Sequence, residues 1–488
     1  MKITLAGRSF SIGLERVPKA ASMLSALALA GCASTSEMLE PPQHNVAVPD
    51  AWNASDDLPV TDVSQYWLSL GDPLLAEFVT SAAKNNLDLA QTTARLKQAR
   101  QSLKSARASY MPQISSSGGV RRDIGDFASS DLNFSLGADA DWEVDLFGRI
   151  GSSVAISRAE LAAAGYTLAD VQRLVIGNVA TATISARSTA LQLAIARDTL
   201  ANQDENLQIA RWRNQAGLVS SLDVEQARVQ RAQTAASIPA LESDLAATSN
   251  AISTLIAEPP GRVLTLLSPP DKVPAPPALL GLDIPAEVLR RRPDVRAAEA
   301  SLIADGARID LARAQLLPLV RLTGNIGSGA TGIGDLFDVI TGNLFAGVSQ
   351  LIFDGGRTRA QIRSAEYGAE ASLAAWQLSI LRALEEVETG RADLQSAQER
   401  VIILGEAREA AGNAAFLARS QYQAGLTDFQ TLLSAENQLL SSRNSLVAAE
   451  AQRASSFVRL TQALGGGWTP DVAASPSQIE LAETGNSQ

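Results

Sequence analysis

Cysteine and histidine are scarce in this chain, and each scarcity closes off a class of chemistry. Cys32 is the one cysteine in 488 residues, so there is no second cysteine for it to pair with and no cysteine–histidine cluster for a metal. The one histidine, His44, stands alone in a Pro-containing stretch, the setting of a solvated side chain rather than a ligand. Basic residues are outnumbered: 41 Lys and Arg against 52 Asp and Glu leave a net charge of −11. That argues against nucleic acid as a partner, because phosphate binding needs a basic surface. No Gly-rich phosphate loop and no nucleophile elbow is present. The carboxylates mostly sit at helical spacings beside Lys or Arg and read as solvated helix faces. Nothing here points to an enzyme or a cofactor. Long apolar runs are missing too. Beyond residue 31 none reaches the ~20 residues of a membrane helix. A membrane crossing by this chain is therefore made with strands.

The position of Cys32 is informative. Upstream lie Lys2, Arg8, Arg16 and Lys19, followed by an apolar run from Ala20 to Ala30. That run is too short to span a bilayer and ends in small residues, as a secretory signal does. Leu29-Ala30-Gly31-Cys32 also resembles the bacterial lipobox, in which cleavage leaves the cysteine as the new N-terminus and lipid is attached to its sulfur. The alternative is an ordinary signal peptide with an incidental cysteine. The sequence predicts a lipoprotein signal over 1–31, lipidation at Cys32 and a lipid-anchored extension over 32–70. Ala33 stands where an aspartate commonly retains bacterial lipoproteins in the inner membrane, so the expected destination is the outer membrane.

The rest of the chain says the same thing twice. A Pro-rich segment, 258–285, separates two similar halves, 71–257 and 286–464, and a tail, 465–488, follows. Pro112 in SARASYMPQISSSGG matches Pro318 in DLARAQLLPLVRLTGNIG, and Phe147 in DLFGR matches Phe353 in LIFDGGR, both at an offset of 206. Gly217 matches Gly425 at an offset of 208. Three matches in one order make this a tandem repeat of a domain-sized unit, too long in period for a solenoid.

Each unit opens with a helix, from Leu87 to about Ser109 and from Val295 to about Leu317, with Asn86 and Asp294 as expected N-caps and a proline as the stop. Two strand-like runs follow, 113–122 and 132–142 in the first unit and 319–329 and 343–353 in the second. They are joined by polar or Gly-rich turns such as GDFASS and TGIGD. Long hairpins occupy 148–257 and 355–464. Their outgoing helices run to about Gln215 and Gln423, and ~60 residues of helix span ~90 Å. Gly217 and Gly425 sit at the tight turns, where a left-handed residue ends a helix. Thr427 with Gln430 has capping-box spacing, and Ser220 with Asp223 is a looser version. Leucines at heptad spacing, Leu193, Leu200 and Leu207 on one helix and Leu432, Leu439 and Leu446 on another, read as packing seams.

Each strand run is about as long as a membrane-spanning strand of ~9–11 residues. An open sheet edge cannot sit in lipid, so the sheet must close. Four strands cannot close alone, since the smallest barrels have ~8. Two chains would make a barrel filled by side chains, and three would make twelve strands with a lumen. An open duct favours a trimer. Phe134, Trp142, Phe345 and Phe353 are the expected aromatic girdles. The alternative is a periplasmic structural lipoprotein with water-exposed hairpins and no pore.

Several stretches resemble one family closely. They are Tyr66–Arg100, DWEVDLFGR at Asp141–Arg149, Ser237–Gly261, RRRPDVRAAEASLIADGARIDLARAQLLP at Arg290–Pro318 and FDGGR at Phe353–Arg357. The chain resembles the TolC-like outer-membrane efflux proteins, in their NodT-like lipoprotein branch. The resemblance implies an α+β membrane protein: a tandem-repeat protomer of long coiled-coil helices with four membrane strands. It implies a homotrimer with a twelve-stranded barrel in outer-membrane lipid on an α-helical periplasmic barrel, with the linker and tail in an equatorial belt. The implied function is a passive exit duct that works with a periplasmic adaptor protein and an inner-membrane resistance–nodulation–division transporter. A type I secretion duct is the rival use of the same family. The resemblance also puts a gate at the periplasmic hairpin tips. There Tyr422 and Asp223 match positions that hydrogen-bond across neighbouring hairpins. Ser434 stands where many relatives have aspartate and Thr427 where some have arginine, so the charged latch is expected to be either weakened or built from other residues, such as Arg419 and Asp428.

Overall fold

The computed structural model describes residues 46–52, 61–124, 131–277, 281 and 283–468. The signal segment, Cys32, His44, the GDFASS turn and the tail beyond residue 468 lie outside the described residues. Two compact units emerge: a strand unit from Pro112–Arg149 and Leu317–Leu351, and a helical unit containing the remaining described residues.

In the helical unit, a 3-10 turn at Tyr66–Leu70 precedes α1 (Pro73–Asn85) and α2 (Leu87–Ala108). The first hairpin is α3 (Arg149–Gln215) and α4 (Ser221–Leu255). The linker carries the short α5 (Arg262–Leu267), and α6 (Pro285–Arg291) and α7 (Pro293–Ala314) follow. The second hairpin is α8 (Arg357–Gln423) and α9 (Phe429–Ala463). α3 and α8 each have 67 residues, about 100 Å of helix. No helix among the described residues is long and apolar enough to cross a membrane.

One apolar core joins both hairpins. Phe78 of α1, Ile176 and Ile184 of α3, Ile252 of α4, Val387 of α8 and Phe457 of α9 are all essentially inaccessible within it. Burial of such side chains is worth about 1.5–3 kcal/mol each. α3 and α9 approach closely at Gly177, where a Cβ would overlap the Gln462 amide that donates to the Arg173 carbonyl (2.8 Å).

Helix starts follow local chemistry, with two corrections. Asn86 caps α2 as expected, accepting from the N–H groups of Asp88 and Leu89. Asp294 is not a cap. Pro293 takes the first helical position, for which its fixed φ and missing N–H suit it, so the cap position falls on Arg292 and Asp294 lies in the first turn. Asp294 pairs there with the buried Arg292 guanidinium (2.6 Å). At α9 the cap is Asp428 rather than Thr427. Its carboxylate accepts from the Thr431 N–H at 2.8 Å, displacing the expected capping box. An aspartate caps better than a threonine.

The strands β1 (Gln113–Arg122), β2 (Leu132–Val144), β3 (Leu319–Ala330) and β4 (Ile340–Ser349) form one antiparallel sheet in that order. The two repeats meet along β2–β3, with Trp142 opposite Leu322 and Asp139 opposite Asn325. Side chains alternate across a pleated strand, so the register sorts them onto two faces. One face carries Phe134, Leu136 and Trp142 of β2, Leu322 and Ile326 of β3, and Leu344 of β4. The other carries Asp139, Asp141, Thr323, Asn325 and Asn343. Phe134 and Trp142 lie eight residues apart on the apolar face, about 26 Å at the usual strand rise. Barrel strands tilt by about 35–45°, so this length covers about 20 Å of height, most of the apolar band of about 25 Å that the aromatic girdles of a membrane barrel flank.

The register corrects two of the four expected girdle residues. Phe345 is aligned with Thr323 and so stands on the polar face. It follows Leu344, and neighbouring strand residues must point to opposite faces. Its ring lies over Gly347, where no side chain competes for the space. Phe353 falls outside β4, which ends at Ser349 opposite Leu319. Pro318 precedes Leu319 and has no N–H to continue the ladder. At its other end β4 starts earlier than expected, at Ile340, where it still pairs with Ser328.

Candidate functional site: the hairpin tips

Both hairpins turn by the same device. Gly217 (φ +70°) and Gly425 (φ +74°) hold the left-handed conformation that glycine alone adopts without cost. The N–H of Gly217 donates to the Asn214 carbonyl and that of Leu218 to the Arg213 carbonyl, at 2.9 and 2.8 Å. Gly425 and Leu426 do the same with Tyr422 and Gln421, at 3.0 and 2.9 Å. These are Schellman closures, which satisfy carbonyls left over at a helix end.

The two tips pack side by side. Leu207 and Ala227 of the first hairpin meet Ala418, Tyr422, Phe429 and Leu432 of the second in a small buried cluster. Arg213 caps this contact. Its guanidinium lies 4.7 Å from the Tyr422 ring centre and donates to the Tyr422 carbonyl at 2.8 Å. Tyr422 is buried edge-on against Phe429, and its hydroxyl has no hydrogen-bond partner.

A second link lies further along the helices. Glu436 of α9 accepts two hydrogen bonds from the Asn206 amide of α3 (2.9 and 2.7 Å) and pairs with Arg419 of α8 (2.9 Å). Arg443 of α9 pairs with Asp198 of α3 at 2.8 Å.

The expected site residues are thus only partly brought together. Arg419 pairs with Glu436, while Asp428 serves as a helix cap, and its hydrogen bonds to Thr431 hold its carboxyl below the usual range. Asp223 is half-buried at the start of α4, its carboxylate 3.5 Å from the Ser220 hydroxyl, with no bond to Tyr422 inside the chain. Sequence reasoning missed Arg213, Asn206 and Glu436. No local motif marks them, because the contacts that join the two hairpins, Asn206 with Glu436 and Arg213 with Tyr422, span more than 200 positions.

Chemically, the tips offer charge, amides and helix ends, and among the described residues no acidic, histidine or cysteine cluster that could hold a metal. Such a constellation can hold helices together and release them. In the strand unit, the polar face can line water while the apolar face meets lipid.

Known proteins share this architecture. The family model described as outer membrane efflux protein matches residues 78–258 and 284–466, one match in each repeat. The pyoverdine export outer membrane protein OpmQ of Pseudomonas aeruginosa is 30% identical, over 92% of this chain and 97% of its own length. Nodulation protein T of Rhizobium leguminosarum bv. viciae is 30% identical, over 87% of this chain and 88% of its own. Among solved structures, the outer-membrane channel OprN superposes with a TM-score of 0.79 at 32% identity, covering 88% of this chain and 98% of that one.

Proposed function

We propose that this chain, which belongs to the outer membrane efflux protein family, is the outer-membrane exit duct of a tripartite efflux pump and works as a homotrimer. The observation that carries the reading is the strand unit. It has one apolar face, one polar face and two edge strands, β1 and β4. In a bilayer those edges must be paired, and three copies pair them in a ring of twelve strands around a polar lumen. The apolar faces then meet lipid. Long helical hairpins supply the periplasmic conduit. A periplasmic adaptor and an inner-membrane resistance–nodulation–division transporter are its partners, and the transporter selects the cargo. Conduction through a duct needs no catalytic group. Lipid on Cys32 adds a second hold on the outer membrane. Chemical crosslinking in detergent should stop at three chains, and the purified trimer should conduct in a planar bilayer. A stable monomer that conducts ions would contradict the closure.

In this reading the hairpin tips form the gate. Gly217 and Gly425 shape them, Arg419 and Asp428 hold their helices, and Asp223 of one hairpin takes the Tyr422 hydroxyl of a neighbouring hairpin once that side chain has turned out of the cluster in which it is buried. A phenol donating to a shielded carboxylate is worth about 1.5–3 kcal/mol. Tyr422→Phe combined with Asp223→Ala should therefore raise conductance and make cells leaky to large antibiotics. Unchanged conductance with the trimer intact would remove the pair from the gate.

A further inference from the structure

Lysine is rare in this chain, with six in 488 residues, and two of them stand on one face of α2. Lys97, Arg100, Lys104 and Arg107 follow one another at spacings of three, four and three. At 3.6 residues per turn they fall within about 80° of one another and run about 15 Å along the helix. The stripe lies beside the face that packs on α3, where Leu103 meets Ile150, Val154 and Leu161. Lys97, Lys104 and Arg107 are exposed. Arg100 is half-buried, and its Nε has no hydrogen-bond partner. The one carboxylate of α2, Asp88, sits in the first turn, far from the stripe.

The repeat does not require this stripe. α2 and α7 have 22 residues each and correspond at an offset of 206, Leu87 with Pro293 and Ala108 with Ala314. Lys97, Arg100 and Lys104 are matched by Ile303, Gly306 and Asp310, and only Arg107 keeps its charge, as Arg313. The arginines of α7 are also neutralised inside the chain. Arg296 pairs with Glu299, Arg308 with Asp305 and Glu160, and Arg313 with Glu366. Among the described residues no carboxylate pairs with Lys97, Arg100 or Lys104. Like charges at these spacings repel one another, and an anion from outside the chain would relieve that repulsion.

We infer that the basic stripe of α2 binds the phosphate headgroups of anionic phospholipid in the membrane leaflet that the chain meets as it enters β1. The inference rests on the reading of β1 to β4 as membrane strands. β1 begins at Gln113, six residues beyond Arg107, which is at most about 20 Å of extended chain. Between them Tyr110 and Met111 are exposed, at 43% and 67%. Membrane strand, amphipathic aromatic and then basic side chain is the order in which groups meet a bilayer interface, with the long cationic stems reaching up to the headgroups. Attraction of Lys and Arg to an anionic leaflet fades within a Debye length of about 8 Å. Lys104 therefore contributes more than Lys97, which lies about 10 Å further along the helix.

The test counts bound lipid. Purified full-length trimers, stripped of free lipid in a neutral detergent, are titrated with phosphatidylglycerol or with phosphatidylcholine of the same acyl chains, and bound molecules are counted by native mass spectrometry. Wild type should prefer phosphatidylglycerol about tenfold. Lys97→Gln with Lys104→Gln should remove most of that preference, and Lys104→Gln alone more of it than Lys97→Gln alone. Lys97→Arg with Lys104→Arg should keep it. Lys84→Gln with Lys272→Gln removes the same charge from exposed positions off the stripe and should leave the preference unchanged. A glutamine pair on α2 that binds like wild type, or a control pair that loses as much, would overturn the site. A reversal potential in a potassium chloride gradient that moves with Lys97 and Lys104 while lipid preference stays would put the stripe in the lumen. Dissociation of the glutamine pair variant into monomers would assign its charges to a neighbouring copy. Either result overturns the lipid assignment. Absence of trimers in the wild type would overturn the duct reading and the lipid site with it, whereas trimers that bind both lipids alike would overturn the lipid site alone.

Discussion

Asp72→Ala is expected to unfold the helical core well below the wild-type melting temperature. Asp72 does two things at once. Its carboxylate caps α1 by accepting from the N–H groups of Leu74 and Leu75, at 2.8 and 3.2 Å. It also neutralises Arg187 of α3, whose Nε lies 2.9 Å away. Both side chains are buried, at 6% and 4% exposure. Removing one member of a buried pair strands the other charge and costs about 3–5 kcal/mol. Loss of the cap adds about 1 kcal/mol. Asp271 lies 3.5 Å from Arg187 but is 63% exposed, so it softens the loss without replacing it. Asp72→Asn keeps a capping oxygen and should cost less than the alanine. Helical circular dichroism during a thermal scan separates the three proteins. A melting temperature for Asp72→Ala within a degree or two of wild type would show that the pair contributes little net stability.

The second large effect concerns which face meets lipid. Leu344 and Asn343 are neighbours in β4, and the register sends them to opposite faces. Leu344 is 85% exposed in the single chain, near the middle of its strand. An arginine at the bilayer midplane costs about 2–4 kcal/mol in a membrane barrel, and a trimer carries the substitution three times. Leu344→Arg should therefore sharply reduce the amount of trimer recovered from outer membranes. Asn343→Arg, one residue away, should assemble normally and alter ion selectivity instead, because it adds positive charge beside Asp139 and Asn325 on the polar face. If both variants assembled equally well, or if Asn343→Arg were the damaging one, the face assignment would be reversed.

Much of this molecule is legible in the linear chain because much of it is local. The tandem repeat shows as matched motifs at offsets of 206 and 208. Gly217 and Gly425 announce the hairpin turns because few other residues adopt positive φ cheaply. Pro112 and Pro318 stop helices, and the absence of an apolar run of membrane length leaves strands as the only crossing. Each of these depends on a residue and its immediate neighbours, so sequence alone determines them.

Other features depend on what lies across the fold. Thr427 has capping-box spacing with Gln430, yet the geometry with which the chain enters α9 gives the cap to its neighbour Asp428. Leu344 and Phe345 are both apolar, and pairing with β3 decided which of them faces which side. The end of β4 was set by its partner, where Pro318 stops the ladder. The side chains that hold the helices together were the least visible. Asp72 and Arg187 are 115 positions apart, Arg213 and Tyr422 209, and Asn206 and Glu436 230. A charged or amide side chain on a long amphipathic helix has the same local surroundings whether it faces solvent or a partner helix. Only the packing of α1, α3, α8 and α9 removes it from water, and only then does its choice of partner carry energy.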